Sequence, residues 1–243
     1  MTTNKDLLTE YTIRIESIAP AITQKELFLH RRCYLGISIG NPQFRGESFQ
    51  VLLEWISRHF DECLIVVGDY LQRYNEHIFY NRQAKEAEIE SLHMGDAFLQ
   101  ESAEYLTRLP KDKFRVTRWK SYLDSPEYHK AKKALDELFV SSFEFRESID
   151  KTSTEFISRQ MKNKKGPVVD KKTAIALSTQ YLLEEIAVFS VLVENGWAVE
   201  VYPGAEIPVL VDIAAGKFPH IPPALKQRIN VELRIIKKSK KLS

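Results

Sequence analysis

The chain has 243 residues, a formal net charge of +2, 44% hydrophobic and 28% charged residues, which is the make-up of an ordinary globular domain and not of a disordered, fibrous or membrane chain. No apolar run approaches the ~20 residues of a membrane span, and MTTNKDLLTEYTIRIE at the start lacks the apolar core of a secretory signal. The expectation is a soluble, cytoplasmic protein. Its two cysteines, Cys33 and Cys63, should sit in apolar strands as small hydrophobes, not as a disulfide.

The first predicted strand is CYLGIS (33–38), rich in apolar residues and closed by turn signals. SFQVLLEWISRHF (48–60) carries Phe49, Leu52, Leu53, Ile56 and Phe60 at helical spacing, and CLIVVG (63–68) follows as a second strand. A crossover of that length favours a parallel, right-handed strand, helix, strand unit. A long helical region is expected from about Asp69, with interruptions at Gly95 and Pro110, then a strand at FRV (114–116) and a helix from Ser125 to about Phe139. The clearest helix runs from Lys171 to about Glu194, with Asp170 as N-cap and Gly196 just beyond its end. Strands WAVEVY (197–202) and INVELRII (229–236) complete the pattern. These elements assemble as one Rossmann-like α/β domain over residues 1–236, a mostly parallel sheet with helices on both faces. A basic, flexible tail, KKSKKLS (237–243), is expected after it.

The small net charge conceals segregation. Ala84 to Glu104 carries a net −5, Arg108 to Lys133 a net +6, Ile157 to Lys172 a net +5 and Lys226 to Lys241 a net +6. Clustered bases interleaved with Trp119, Tyr122 and Tyr128 suit a polyanion such as RNA, and equally suit a solvated basic face.

Within the first strand and its turn, GISIG matches the G-x-S-x-G pattern of hydrolase nucleophile elbows. In a doubly wound sheet, ligands bind beyond the C-terminal strand ends, which is where Ser38 falls, between Gly36 and Gly40. Ser38 is therefore a hydrolase nucleophile, a nucleophile of another kind, or a small residue in a tight turn. The hydrolase reading lacks an oxyanion loop of the HGGG type before Ser38 and leaves only Asp212 and His220 as late triad partners.

Other residues of interest lie far away. In QYLLEEIAVF, Tyr181 and Glu185 are at i and i+4 on one helix face, and Glu185 shares an apolar stripe with Leu182, Val188 and Phe189. A carboxylate there needs either a cationic partner or a cavity, while Glu184, about 100° round the helix, can face elsewhere. Tyr202 closes strand WAVEVY ahead of Pro203, at the same sheet edge as Ser38 if the sheet is parallel. A serine, a phenol and a carboxylate gathered there could hold an ammonium group while an ester is attacked.

Taken together, LGISIGNPQF, VVGDYLQRYN, YLLEE and VYP resemble the tRNA-dependent cyclodipeptide synthases over about Arg32 to Val211. The resemblance implies a fold like the catalytic domain of class I tyrosyl- and tryptophanyl-tRNA synthetases. It makes Ser38 the nucleophile, with Gly36 lining its pocket, Tyr181 and Glu185 holding the substrate amine, and Tyr202 relaying a proton. One branch of that family carries Asn, Tyr and His at three marker positions, the other a variable residue, Tyr and Pro. Here Asn41 fits the first branch and Tyr202-Pro203 the second, and VVGDYLQRYN also resembles the second. Ala187 stands where the family often has proline, and the acidic stretch 84–104 stands where the first branch has a basic helix. The tRNA contact is then expected from Arg108, Lys113, Arg115, Arg118, Trp119 and Lys120, with Arg118-Trp119 as anchor.

The implied reaction is ping-pong transfer from two aminoacyl-tRNAs through aminoacyl-serine and dipeptidyl-serine intermediates, releasing a cyclic dipeptide from what is expected to be a monomer. Because the ester is already activated, no ATP, metal or other cofactor is implied. The sequence contains no Walker loop, no G-x-G-x-x-G and no metal-ligand spacing of Cys and His. The alternatives are a serine esterase and a non-catalytic tRNA-binding protein.

Overall fold

The computed structural model describes residues 8–162 and 166–240. Six strands form one sheet: β1 (Leu8–Ala19), β2 (Arg32–Ile37), β3 (Glu62–Val67), β4 (Phe114–Arg118), β5 (Val199–Tyr202) and β6 (Ile229–Lys240), in the order β1-β6-β5-β2-β3-β4. Every neighbouring pair is parallel except β1 with β6, which is antiparallel. The helices are α1 (Gln24–Leu27), α2 (Gly46–His59), α3 (Gln72–Tyr80), α4 (Ala84–Glu101), α5 (Ala103–Thr107), α6 (Lys120–Leu123), α7 (Pro126–Ser141), α8 (Phe143–Lys162), α9 (Lys171–Glu194) and α10 (Pro208–Ala214).

Helices cover both faces, as expected. Side chains alternate across β2: Cys33, Leu35 and Ile37 pack toward Leu52, Leu53 and Ile56 of α2, while Tyr34 packs toward Ile186, Val188 and Phe189 of α9. Cys33 and Cys63 are in register on β2 and β3, both buried and both free thiols. Because β2 has β3 on one side and β5 on the other, the strand order reverses at β2, opening a crevice at its C-terminal end.

Helix α9 begins and ends as its caps dictate. Asp170 Oδ1 accepts from Thr173 N at 3.0 Å, and Gly196 beyond the end takes a positive φ of 83°. It is long and apolar enough to cross a membrane by length and composition, but most of that stretch is buried among the helices and the sheet, which accounts for its apolarity.

Three features differ from expectation. Strand β1 was not anticipated, because its Tyr11, Ile13 and Ile15 alternate with polar residues and form no apolar run; it is an edge strand that needs only one face covered. Its partner β6 continues to Lys240, so residues 237–240 of the expected tail are paired with Leu8–Tyr11, while 241–243 lie outside the described residues. Helix α4 runs unbroken through Gly95.

Gly95 is there because two side chains press on the helix at that point. The buried Asp69, just past β3, accepts from Arg118 Nε at 2.5 Å, and Arg118 also donates to Asp96 Oδ1 at 2.6 Å and to the Leu92 carbonyl at 2.7 Å. A Cβ on residue 95 would overlap both the Asp69 carboxylate and the Arg118 guanidinium. Gly95→Ala is therefore expected to cost about 2–4 kcal/mol, by overpacking and by disrupting a buried ion pair. Urea unfolding measures it, and an unchanged midpoint would mean that the contact yields freely.

Candidate active site

Ser38 follows β2 directly, and Tyr202 is the last residue of the adjacent parallel strand β5, so the sheet brings both to the same edge. Asn41 ties these ends together. Its Oδ1 accepts from Gln43 N at 3.0 Å, capping the turn after β2, while its Nδ2 donates to the Tyr202 hydroxyl at 3.3 Å and the Pro203 carbonyl at 3.5 Å. Asn41 thus contacts both Tyr202 and Pro203.

Behind them opens a cavity of about 690 Å³, whose lining includes Gly36, Ser38, Asn41, Tyr181, Glu185 and Tyr202. All six sequence-expected residues of the chemistry are therefore assembled in one place. Tyr181 and Glu185 reach it from α9, one helical turn apart.

The adjacent glutamates of α9 solve burial in opposite ways. Glu184 is 3% exposed and fully partnered: Arg73 Nη1 donates to Oε1 at 2.9 Å and Arg73 Nη2 to Oε2, the Tyr74 hydroxyl donates at 3.0 Å, and Trp119 Nε1 at 3.2 Å. The Arg73 guanidinium is itself held between the rings of Tyr70 and Tyr74, at 4.1 and 4.3 Å. Glu185, one residue on, has no hydrogen bond or ion pair to its side chain among the described residues and faces the cavity. Burial, reinforced by the charges of Glu200, Glu206 and Glu184 and opposed by Arg228, pushes its pKa from 4.5 up to about 8.

The tyrosines share this environment. Burial first, then the Glu185 charge, raises the Tyr181 phenol well above its ordinary value. Burial also raises Tyr202, with Asn41 and Ser38 as polar neighbours pulling the other way. Both phenols are protonated at neutral pH and are suited to donate or relay a proton.

The basic cluster is placed differently from expectation. Trp119 is 2% exposed, buried against Phe189 with its indole N–H on Glu184, so it is a core residue and no surface anchor. Arg118 is spent on Asp69 and Asp96. Of the rest, Arg108 pairs with Glu104 at 2.6 Å, Lys120 with Glu88 at 2.5 Å and Arg115 with Glu62 at 2.9 Å, and Lys113 Nζ donates to the Ser57 carbonyl at 2.5 Å. Three bases of the run 108–133, Arg108, Arg118 and Lys120, pair with the acidic stretch 84–104, while Arg115 pairs with Glu62 outside it. Lys164 and Lys165 of the basic run 157–172 lie outside the described residues.

No histidine is among the residues lining the cavity. His220 is exposed, and Asp212 is occupied by Ser148 at 2.7 Å and Lys217 at 2.5 Å, so the triad that an esterase would need is not assembled. Sequence reasoning missed Arg73, and it missed Glu200, Glu206, Arg228 and Asn230, which form a polar wall of the same cavity. The Glu within WAVEVY was a visible signal, since a charge inside a buried strand needs a partner.

Fold and pocket define a doubly wound α/β protein with a switch-point cavity suited to a small ligand that carries an amine. The chain belongs to the cyclodipeptide synthase family, whose family model matches residues 23–193. It is accordingly a tRNA-dependent transferase that forms cyclic dipeptides. Among solved structures it is similar to a cyclodipeptide synthase from Fluoribacter dumoffii, at 25% identity and a TM-score of 0.79 over 96% of this chain and 100% of that one. A Mycobacterium tuberculosis protein, whose structure relates cyclodipeptide synthetases to type I tRNA synthetases, matches at 14% identity and a TM-score of 0.69, covering 94% of each chain. The enzyme from Candidatus Glomeribacter gigasporarum, bound to Phe-tRNAPhe, matches at 17% identity and a TM-score of 0.62, over 87% of this chain and 90% of that one. No curated protein matches.

The two glutamates should separate in stability. Glu184→Ala strands the largely buried Arg73 and is expected to cost about 3–5 kcal/mol. For Glu185, a folded-state pKa of about 8 against an ordinary 4.5 means that its contribution is full below pH 4.5 and is lost as pH rises through 8. Glu185→Gln is therefore expected to flatten the pH dependence of unfolding between pH 5 and 8 and to be more stable by roughly 2 kcal/mol at the upper end. Denaturation at several pH values checks this, and a less stable Glu185→Gln at pH 8 would contradict the unpaired carboxylate.

Proposed function

We propose that the protein joins two amino acids from two aminoacyl-tRNAs by ping-pong transfer through Ser38. The observation that carries this reading is the unpaired Glu185 facing the cavity that holds Ser38, Tyr181 and Tyr202. An aminoacyl ester brings an ammonium that satisfies Glu185 and Tyr181 and sets its carbonyl at the strand-end serine.

Ser38 Oγ attacks that carbonyl, its proton passes to the leaving 3′ oxygen, and free tRNA departs, leaving an aminoacyl-serine. Glu185, whose carboxyl burial holds above the ordinary carboxylate range, is the group placed to take the proton of the α-ammonium and free the amine. The amine attacks the ester of a second aminoacyl-tRNA, releases the second tRNA and leaves a dipeptidyl-serine. The new terminal amine then attacks the serine ester, closing the ring and returning the proton to Ser38, with Tyr202 as relay. As proposed, the enzyme works as a monomer in the cytoplasm, where charged tRNA is made.

For tRNA contact, the exposed Arg108, Arg115 and Lys120 remain candidates, because exposed ion pairs of this kind are worth only about 0–1 kcal/mol and can be exchanged for phosphates. Trp119 and Arg118 are withdrawn from that role.

Incubation with charged tRNA should add one aminoacyl mass to the wild-type protein and none to Ser38→Ala. Product formed by Ser38→Ala at the wild-type rate would refute the covalent route, and tRNA binding without any cyclic dipeptide would favour the non-catalytic alternative. Single-turnover acylation should also rise with pH along a limb centred near pH 8, since only ionised Glu185 binds the ammonium. Glu185→Gln should lose that limb and at least about a hundredfold in rate while retaining tRNA affinity; an equal loss of both would make the residue structural.

A further inference from the structure

We propose that the recess formed by Tyr34, Glu200, Glu206, Arg228 and Asn230 selects, for the residue carried on Ser38, an amino acid whose side chain donates hydrogen bonds. This rests on the reading of Ser38 as the acceptor of an aminoacyl group.

Three neighbouring strands build the recess. Tyr34 of β2 is in register with Glu200 of β5, and Glu200 with Asn230 of β6, so their side chains share the sheet face that α9 covers. Arg228 precedes β6 and Glu206 follows β5. The Tyr34 hydroxyl donates to Glu200 Oε2 at 3.0 Å, Arg228 Nε donates to the Tyr34 hydroxyl at 3.1 Å, and Arg228 Nη2 donates to Glu200 and, at 2.8 Å, to Glu206 Oε1.

The accounting does not close. Two carboxylates share one guanidinium, and Glu206 Oε2 and Asn230 Nδ2 are buried with no partner among the described residues. The Glu206 side chain is only 8% exposed, and Asn230 is 2% exposed. Further along the same face of the sheet the residues are Leu64 and Val66, so apolar side chains could have filled this region. A buried ionic network does not improve on such packing in stability, and unpartnered polar atoms within it are a cost. Their use is in recognition.

Geometry gives the route. Glu200, Glu206, Arg228 and Asn230 line the cavity that contains Ser38 and Glu185. A substrate held by its amine at α9 and by its carbonyl at the end of β2 must direct its side chain between the helix and the sheet. At Gly36 of β2, two residues before Ser38, a Cβ would lie 3.2 Å from Glu200 Oε1. The missing side chain leaves that approach open. Excess carboxylate at the end of it calls for a donor and disfavours an acidic side chain, and a hydroxyl or carboxamide can donate to Glu206 Oε2 while accepting from Asn230 Nδ2.

The test charges bacterial tRNA with single amino acids and compares rates of aminoacyl-serine formation by intact mass. Donor-bearing residues are expected to label Ser38 at least tenfold faster than Leu, Val or Phe; equal or faster labelling by those three, or by Asp or Glu, overturns the inference. In Glu206→Met, which leaves Arg228 paired with Glu200, the ratio should fall at least fivefold. Glu206→Gln, which keeps an acceptor for Arg228, should shift the ratio in the same direction if the Met variant does not fold. A uniform fall in all rates at an unchanged ratio would make Glu206 structural and would refute its role here. If no adduct forms but cyclic dipeptide does, the serine reading fails separately. Product composition then decides the recess, with a product built only from aliphatic residues and Phe overturning it.

Discussion

Arg73 bound to Glu184 is the contact on which the placement of α9 depends. It joins α3 to the middle of α9, and the indole of Trp119 at the end of β4 donates to the same carboxylate. Every acceptor position that matters on Glu184 is used, so the helix is held in rotation as well as in place. Glu185, one residue further and about 100° around, is therefore kept over the cavity with no hydrogen bond or ion pair among the described residues. The unpaired carboxylate is tolerated because its neighbour is so thoroughly paired.

The same segment that supplies Arg73 supplies the rest of the frame. Asp69 fixes Arg118, and through it α4, to the ends of β3 and β4; Gln72 and Asn75 line the cavity. In α4 the buried positions are Ala87, Ser91, Gly95 and Phe98, a mostly small stripe that lets an acidic helix approach closely. The charge balance follows from this packing. Once α4 lies beside the end of β4, Glu88 and Asp96 meet Lys120 and Arg118, and much of the basic run is occupied from within the chain.

At the opposite wall, the strand order itself creates the polar recess. Only because β5 lies between β2 and β6 do Tyr34, Glu200 and Asn230 come into one row. The cavity consequently has two distinct carboxylate environments, Glu185 without a cation and the Glu200–Arg228–Glu206 group with one.

Local chemistry was sufficient for the parts of this protein that repeat or terminate locally. Hydrophobic periodicity with the caps Asp170 and Gly196 gave α9 its ends, and the apolar runs gave strands β2 to β6, because each depends on neighbours a few residues away. Ser38, Tyr181, Glu185 and Tyr202 were legible for the same reason, as strand-end or helix-face positions. Tertiary structure decided what depends on distant partners. It paired Glu184 and left Glu185 alone, buried Trp119, passed α4 through Gly95 and held residues 237–240 as a strand against β1. A side chain's burial and its ion pairs are set by whatever packs across from it, and in a doubly wound sheet that partner is often a hundred residues away.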